Sequence, residues 1–169
     1  MSGKSSRISV LWEGVDARGR DVRYAAYFHH FNRGDYYEAH DVLESLWLEQ
    51  GREAKSAAFY KGLIQLAGSF VHLRKHHEHP NDRVHGQRLG PASRLLRLAG
   101  QNICPYGQEW EGLAIFPILE LTRVTIRQLE EGKMELNPWS PLQKPRLGLP
   151  KPVEPQPFSG SGGKDKTRI

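Results

Sequence analysis

The chain lacks the features that define several large classes of protein. Its single cysteine, Cys104, excludes an intramolecular disulfide framework. It has no apolar run of the roughly eighteen residues that a membrane-spanning helix needs, and residues 1–10 do not resemble a signal peptide. We therefore expect a cytoplasmic protein with no membrane segment. A phosphate loop, a dinucleotide fingerprint, a serine elbow and zinc-ribbon spacing are also missing, so no common enzyme class is indicated.

The charge and the prolines are unevenly distributed. The net charge is +5, but six basic and only two acidic residues lie from Asn137 onward, which leaves the first 136 residues nearly neutral. Total charge therefore gives no support to a basic groove for nucleic acid. Seven of the eleven prolines also follow Asn137, ahead of a Gly/Ser run at 159–163. Such a composition predicts a disordered, basic C-terminal tail, in which Trp139 and Leu142 are the residues suited to pack back onto the domain.

Between residues 21 and 136 the apolar residues recur with a helical period. Five helices are predicted, over about 21–33, 35–50, 54–75, 91–103 and 117–132. Gly34 and Gly51 end the first two helices, and the spacing of Asp35 and Glu38 predicts a capping box at the start of the second. We therefore predict an all-α fold, a compact antiparallel bundle of about five helices over residues 21–136. Residues 1–20 are expected to form a flexible N-terminal segment, and residues 137–169 the proline-rich tail.

Polar residues interrupt the apolar surfaces of the second and third helices. On the second helix, His40 falls within the apolar face and Glu44 lies one turn further on. The third helix is apolar almost all round except for one narrow polar stripe, in which the larger side chains are Lys61, Gln65 and His72. We hypothesise that this stripe faces His40 and Glu44 across the contact between the two helices.

Four interpretations of these five residues remain open. They can form a satisfied core network running from His40 through Glu44 to Lys61, or they can be the solvated edge of the helix. They can instead line a small-molecule or catalytic pocket, or His40 and Glu44 can bind a metal with His72 as third ligand. Two ligands four residues apart are a weak signal, so we assign no metal and no other cofactor. The loop from His76 to His85 is rich in histidine and can bind metal adventitiously.

The signature of a known family appears in the same region. The run from Tyr27 to Glu44, closing on Trp47, and the run from Phe59 to Ala67, followed by His72, resemble the bacterial and archaeal domain-of-unknown-function family 309. The segments Gly90–Leu96 and Gly112–Leu113, with Tyr106 before the second, follow the same pattern more loosely. The resemblance implies a compact helical bundle and no assigned activity, so it carries over no catalytic residues. The loop from His76 to Leu89 looks longer than the turn usual in that family, and the tail looks like an addition.

Three functions follow from these patterns. The first is an interaction or scaffold module that forms a homo-oligomer or docks a protein partner through the apolar excess of the third helix. The second is a small enzyme or ligand-binding protein, in which Lys61 or Gln65 holds an anionic or polar ligand and His40 acts as acid and base. The third, which charge supports least, is a nucleic-acid-associated protein that uses the fourth helix and the basic tail. The arginines of that helix region are Arg88, Arg94 and Arg97.

Overall fold

A computed structural model describes residues 9–154, and five α-helices account for most of this part of the chain. The helices are α1 (Val22–Arg33), α2 (Tyr36–Gln50), α3 (Ala57–Glu78), α4 (Leu89–Ile103) and α5 (Phe116–Glu131). A short 3-10 helix at Val10–Trp12 precedes α1, and two more lie between α-helices, at His85–Gln87 and Cys104–Tyr106. One small antiparallel hairpin pairs β1 (Glu109–Trp110) with β2 (Leu113–Ala114). The prediction of an all-α fold with five helices is confirmed.

The turn between α1 and α2 shows how local chemistry reverses the chain. Gly34 adopts a left-handed conformation, with φ of 88°, and its N–H donates to Phe31 O. The Asp35 N–H donates to His30 O, so both amides satisfy carbonyls at the end of α1. The capping box predicted for Asp35 and Glu38 is not formed. The amide that Glu38 would bind is already used by α1, and the Asp35 carboxylate lies 3.2 Å from Arg33 Nε instead of capping α2.

A cluster of buried aromatic side chains lies in the core between α1, α2 and α3. Tyr24, Tyr27, Phe28 and Phe31 project from α1 with at most 1% of their surface exposed. Phe31 meets Phe70 edge-on at a centroid distance of 5.5 Å, and Tyr24 meets Phe59 and Tyr60 at tilted angles. The buried Tyr27 hydroxyl donates to Leu63 O at 2.7 Å, which satisfies its polar atom inside the core. These contacts place α3 in the centre of the bundle, as its nearly uniform apolar surface predicts.

The approach of α3 to α4 depends on a glycine. A Cβ atom placed on Gly62 would lie 2.6 Å from Ile103 Cγ1 and 3.1 Å from Ala99 O. The two helices therefore pack more closely at this point than any side chain on residue 62 would allow. Gln65 contacts Asn102, and His72, further along α3, contacts Arg88 immediately before α4. Residue numbers therefore rise along α3 as they fall along the partner helix. The helices therefore run antiparallel.

The segment from Asn137 to Glu154 corrects the prediction of a disordered tail. It packs along the bundle without regular secondary structure, and we call residues 137–154 the strap. Trp139 is only 5% exposed, and its Nε1 donates to the Tyr36 hydroxyl at 2.9 Å. Leu147 is 7% exposed, and its N–H donates to Asn32 Oδ1 at 2.7 Å. Leu142 is 94% exposed and does not pack back. The predicted tail beyond Glu154 lies outside the described residues.

The chain before α1 also follows the bundle where it is described. Leu11 and Trp12 pack against the core, and His30 Nε2 donates to Leu11 O at 2.6 Å. The strap reaches this segment as well, since the Val153 N–H donates to Arg18 O. The first eight residues of the predicted flexible segment lie outside the described part. Among the helices within residues 9–154, none is both long enough and apolar enough to cross a membrane.

Candidate functional site

A polar groove runs along α3 between α2 and α4. Both helices pack against α3, but they make little contact with each other, so the polar stripe of α3 forms the floor of the gap. Gly68 lies at its centre, where an added Cβ would be 3.4 Å from Leu95 Cδ1 and 3.8 Å from His40 Cδ2. The missing side chain therefore leaves room between the two walls. We call this the α3 groove, and the polar residues along it are His40, Glu44, Lys61, Gln65, His72, Arg88 and Asn102.

Three potential metal ligands gather on the α2 side of the groove. His40, Asp41 and Glu44 each offer one ligand atom, and these atoms all lie within 4.8 Å of one another. All three side chains are half-buried, and His40 Nδ1 lies 3.1 Å from Asp41 Oδ1. The cluster fits on one helical turn, because residues three and four apart share a face and residue 41 borders that face. We call these residues the α2 cluster.

The floor of the groove is tied to α4 and not to α2. Asn102 Nδ2 donates to Gln65 Oε1 at 2.7 Å. Arg88 Nη1 donates to His72 Nδ1 at 3.1 Å, and Arg88 Nε donates to His85 Nδ1 at 2.9 Å. Burial and then the positive charge of Arg88 lower the pKa of His72 below its usual range. His72 is therefore neutral at pH 7 and accepts its hydrogen bond from the arginine.

The Trp47 end of the groove opens into a surface pocket. The pocket has a volume of about 330 Å³ and is lined by Trp47, Arg52, Ala57, Ala58, Lys61 and Asn102. We call it the Trp47 pocket. It continues the line of the groove, since Trp47 follows Glu44 by three residues on α2 and Lys61 precedes Gln65 by one turn on α3. The α3 groove therefore has carboxylates midway along one wall and cations at this end.

The structure separates the five predicted residues into different environments. His40 and Glu44 lie together on α2, and Lys61 lines the Trp47 pocket. Gln65 contacts Asn102 on α4, and His72 contacts Arg88 immediately before α4. The proposed core network from His40 through Glu44 to Lys61 is not formed among residues 9–154, because no ion pair joins Glu44 to Lys61 there. His72 is not a member of the α2 cluster, so the structure does not bring it together with His40 and Glu44 as a third metal ligand.

Sequence reasoning missed Asp41, although the residue stands next to His40 and three residues before Glu44. That spacing was the available signal, since residues three apart on a helix are neighbours. The loop histidines behave differently. Among the described residues, those of His76–His85 do not come together as a set of three metal ligands. His77 instead stacks edge-on against Trp139, at a centroid distance of 5.3 Å.

The lowered pKa of His72 predicts a pH-dependent stability. The unfolded chain has a histidine pKa near 6.5, whereas the folded protein binds this proton less readily. The neutral form therefore stabilises the fold fully above the unfolded pKa, and this contribution is lost as the pH falls through the folded pKa. We expect the free energy of unfolding to decrease more for the wild type than for His72→Gln between pH 7.5 and pH 5.

An NMR titration of the His72 ring provides the direct measurement. Its pKa is expected below 6.5 in the wild type and closer to that value in Arg88→Gln, because removing the guanidinium removes its repulsion of the imidazolium. An identical pKa for His72 in both proteins would show that the Arg88 contact does not exist in solution.

Residues 24–83 match the model of the family described as "Domain of unknown function (DUF309)". The match covers α1 from Tyr24 onward and all of α2 and α3, and it includes the α2 cluster and the polar stripe of α3. It confirms the resemblance seen in the Tyr27–Trp47 and Phe59–Ala67 segments. No curated protein and no solved structure is significantly similar to the chain.

Proposed function

We propose that the protein is a metal-dependent ligand-binding protein whose α2 cluster holds one divalent ion at the edge of the α3 groove. The observation that supports this proposal is the convergence of His40, Asp41 and Glu44, with ligand atoms within 4.8 Å of one another. One imidazole and two carboxylates together match the donors that zinc, manganese and iron accept. The two carboxylates also balance the charge of a divalent ion.

The geometry suits an open site and not a closed structural one. Ligand atoms around such an ion lie about 3 Å apart, so the half-buried side chains need only small rotations to bind it. Three protein ligands leave coordination positions toward the groove, where Gly68 provides space. An ion bound there would polarise a ligand or a water molecule. His40 would contribute a ring nitrogen, and Asp41 and Glu44 would hold that ring and the ion in position.

The residues that suggested an interaction module have another explanation. The apolar excess of α3 is packed inside the bundle, with Phe59, Leu63, Leu66, Ala67 and Leu73 fully buried. They therefore offer no surface to a partner. The arginines suggested for nucleic-acid binding are also engaged in part, since Arg88 contacts two histidines and Arg97 pairs with Glu130. Both functions stay predictions without further support, and we favour the groove.

The test is isothermal titration calorimetry of metal-stripped, tag-free protein with Zn²⁺ and Mn²⁺. We expect one site per chain for at least one ion, and at least a tenfold weaker affinity in each of His40→Ala, Asp41→Asn and Glu44→Gln, since each removes one ligand. Glu38→Gln, on the same helix but outside the cluster, is the matched control and should bind like the wild type.

A second variant tests whether the histidine-rich loop provides a competing metal site. His79→Asn combined with His85→Asn should leave the affinity of the α2 cluster unchanged. The proposal would be overturned if the wild type bound neither ion, or if binding disappeared in the loop variant and survived in His40→Ala.

A further inference from the structure

We propose that the Trp47 pocket binds the anionic group of a small organic ligand, a carboxylate or a phosphate monoester, through Arg52 and Lys61. The inference extends the proposed function, because it assigns a chemical class to the ligand of the α3 groove. It depends on residues outside the α2 cluster, which lie at the opposite end of the groove from His72.

The charge of the pocket carries the inference. Its lining includes two cationic side chains and no acidic one. Within residues 9–154, neither the Arg52 side chain nor the Lys61 side chain has a hydrogen bond or an ion pair with another residue. Several other arginines of the described part are paired with carboxylates: Arg20, Arg23, Arg74, Arg97 and Arg123. Two unpaired cations on one concave surface attract an anion that both can contact, and the guanidinium can bind its oxygens in pairs.

The remaining lining residues describe the rest of the ligand. Trp47 is half-buried against the core and presents part of its ring to the pocket. Ala57 and Ala58 add small apolar surface beside it. A flat apolar or aromatic group would cover these surfaces and remove them from water. Asn102 gives its amide N–H to Gln65, which leaves its carbonyl oxygen to accept a hydrogen bond from the ligand.

The size and position of the pocket fit a small molecule. A volume of about 330 Å³ falls at the lower end of the range for ligand sites. A ligand anchored there lies one helical turn from Glu44 along α2 and from Gln65 along α3. Its far end can therefore extend toward the α2 cluster. A short molecule with an acidic group at one end and a metal-binding oxygen at the other meets both requirements.

The experiment follows the indole signals of the full chain by NMR in the presence of EDTA, so that no metal contributes. Each of the four tryptophans contributes one indole Nε1–H signal, and Trp47→Phe and Trp139→Phe identify the two that are followed. The probes are phenyl phosphate and benzoate, with benzyl alcohol as the uncharged analogue. We expect at least one anion to shift the Trp47 signal in a saturable way, leave the Trp139 signal in place, and bind at least tenfold more tightly than benzyl alcohol.

The cationic residues are tested by substitution. The double variant Arg52→Gln, Lys61→Gln should weaken the binding of the anion at least tenfold, because it removes two charge-assisted contacts. Arg83→Gln, which removes an exposed cation outside the pocket, is the matched control and should bind like the wild type. A preference for phenyl phosphate over benzoate, or the reverse, identifies which of the two anions the site takes.

Three results would overturn the inference. They are no shift of the Trp47 signal with either anion, equal affinity for benzyl alcohol, and wild-type affinity in the double variant. Since metal is absent from these titrations, their outcome does not depend on the α2 cluster. Anion binding without metal binding would support the anion site in the Trp47 pocket and overturn only the metal site at the α2 cluster. Metal binding without anion binding would overturn the anion site and leave the metal site standing.

Discussion

Trp139→Ala is expected to lower the free energy of unfolding by about 3–5 kcal/mol, the usual cost of truncating a buried tryptophan. The side chain is only 5% exposed, and its Nε1 donates to the Tyr36 hydroxyl at 2.9 Å. The ring also meets His77 edge-on. The substitution therefore opens a cavity and removes a hydrogen bond that joins the strap to the start of α2. Urea titration followed by circular dichroism of the helices measures the change.

Leu142→Ala is the matched control for this prediction. Leu142 lies three residues further along the same strap, but it is 94% exposed, so its truncation should change the stability by less than about 0.5 kcal/mol. If Trp139→Ala were equally neutral, the strap would not pack against the bundle in solution. The disorder predicted from the proline content would then describe residues 137–154 correctly.

Gly62→Ala is expected to destabilise the protein by about 1–3 kcal/mol, although alanine is the better helix former. The new Cβ would lie 2.6 Å from Ile103 Cγ1 and 3.1 Å from Ala99 O. A backbone oxygen cannot move aside as the end of a flexible side chain can. The α3–α4 contact would therefore have to widen along its length, and the Gln65–Asn102 hydrogen bond in the floor of the groove would lengthen with it. Thermal and urea unfolding give the size of the loss.

Gly68→Ala provides the comparison on the same helix. Its Cβ would meet Leu95 Cδ1 at 3.4 Å and His40 Cδ2 at 3.8 Å, which are ordinary contacts. The gain in helix propensity should then leave the stability unchanged or raise it by up to about 1 kcal/mol. Equal losses in both variants would contradict the close approach at Gly62, since the two sites would then be equally crowded.

The two glycines contribute to the groove in different ways. Gly62 allows α3 and α4 to approach, which brings Asn102 into contact with Gln65. Gly68 leaves the space between His40 on one wall and Leu95 on the other. A side chain at position 62 would disturb the packing of α3 on α4. A side chain at position 68 would fill the groove itself. Comparing metal or anion binding by Gly68→Ala and by the wild type therefore tests the effect of filling the groove while the packing of the bundle stays the same.

Local chemistry determined much of the fold from the sequence alone. The helical period of apolar residues located all five helices, because each helix must bury one face. Gly34 and Gly51 marked the ends of α1 and α2, because a residue with positive φ ends a helix wherever it occurs. The central position of α3 followed from apolar residues on nearly its whole circumference. The polar stripe on that helix supplies Lys61, Gln65 and His72 along the α3 groove.

Only the tertiary structure decided which side chains meet. The partner of Gln65 is Asn102 on α4, and that of His72 is Arg88 immediately before α4. The register of α4 on α3 depends on the close approach at Gly62. The capping box failed because α1 had already used the Asp35 N–H, a competition that spacing alone does not reveal. The strap is ordered by contacts with residues about a hundred positions away, and proline content reports only on local hydrogen bonding. Helix formation depends on neighbours in sequence, whereas partners and order depend on neighbours in space.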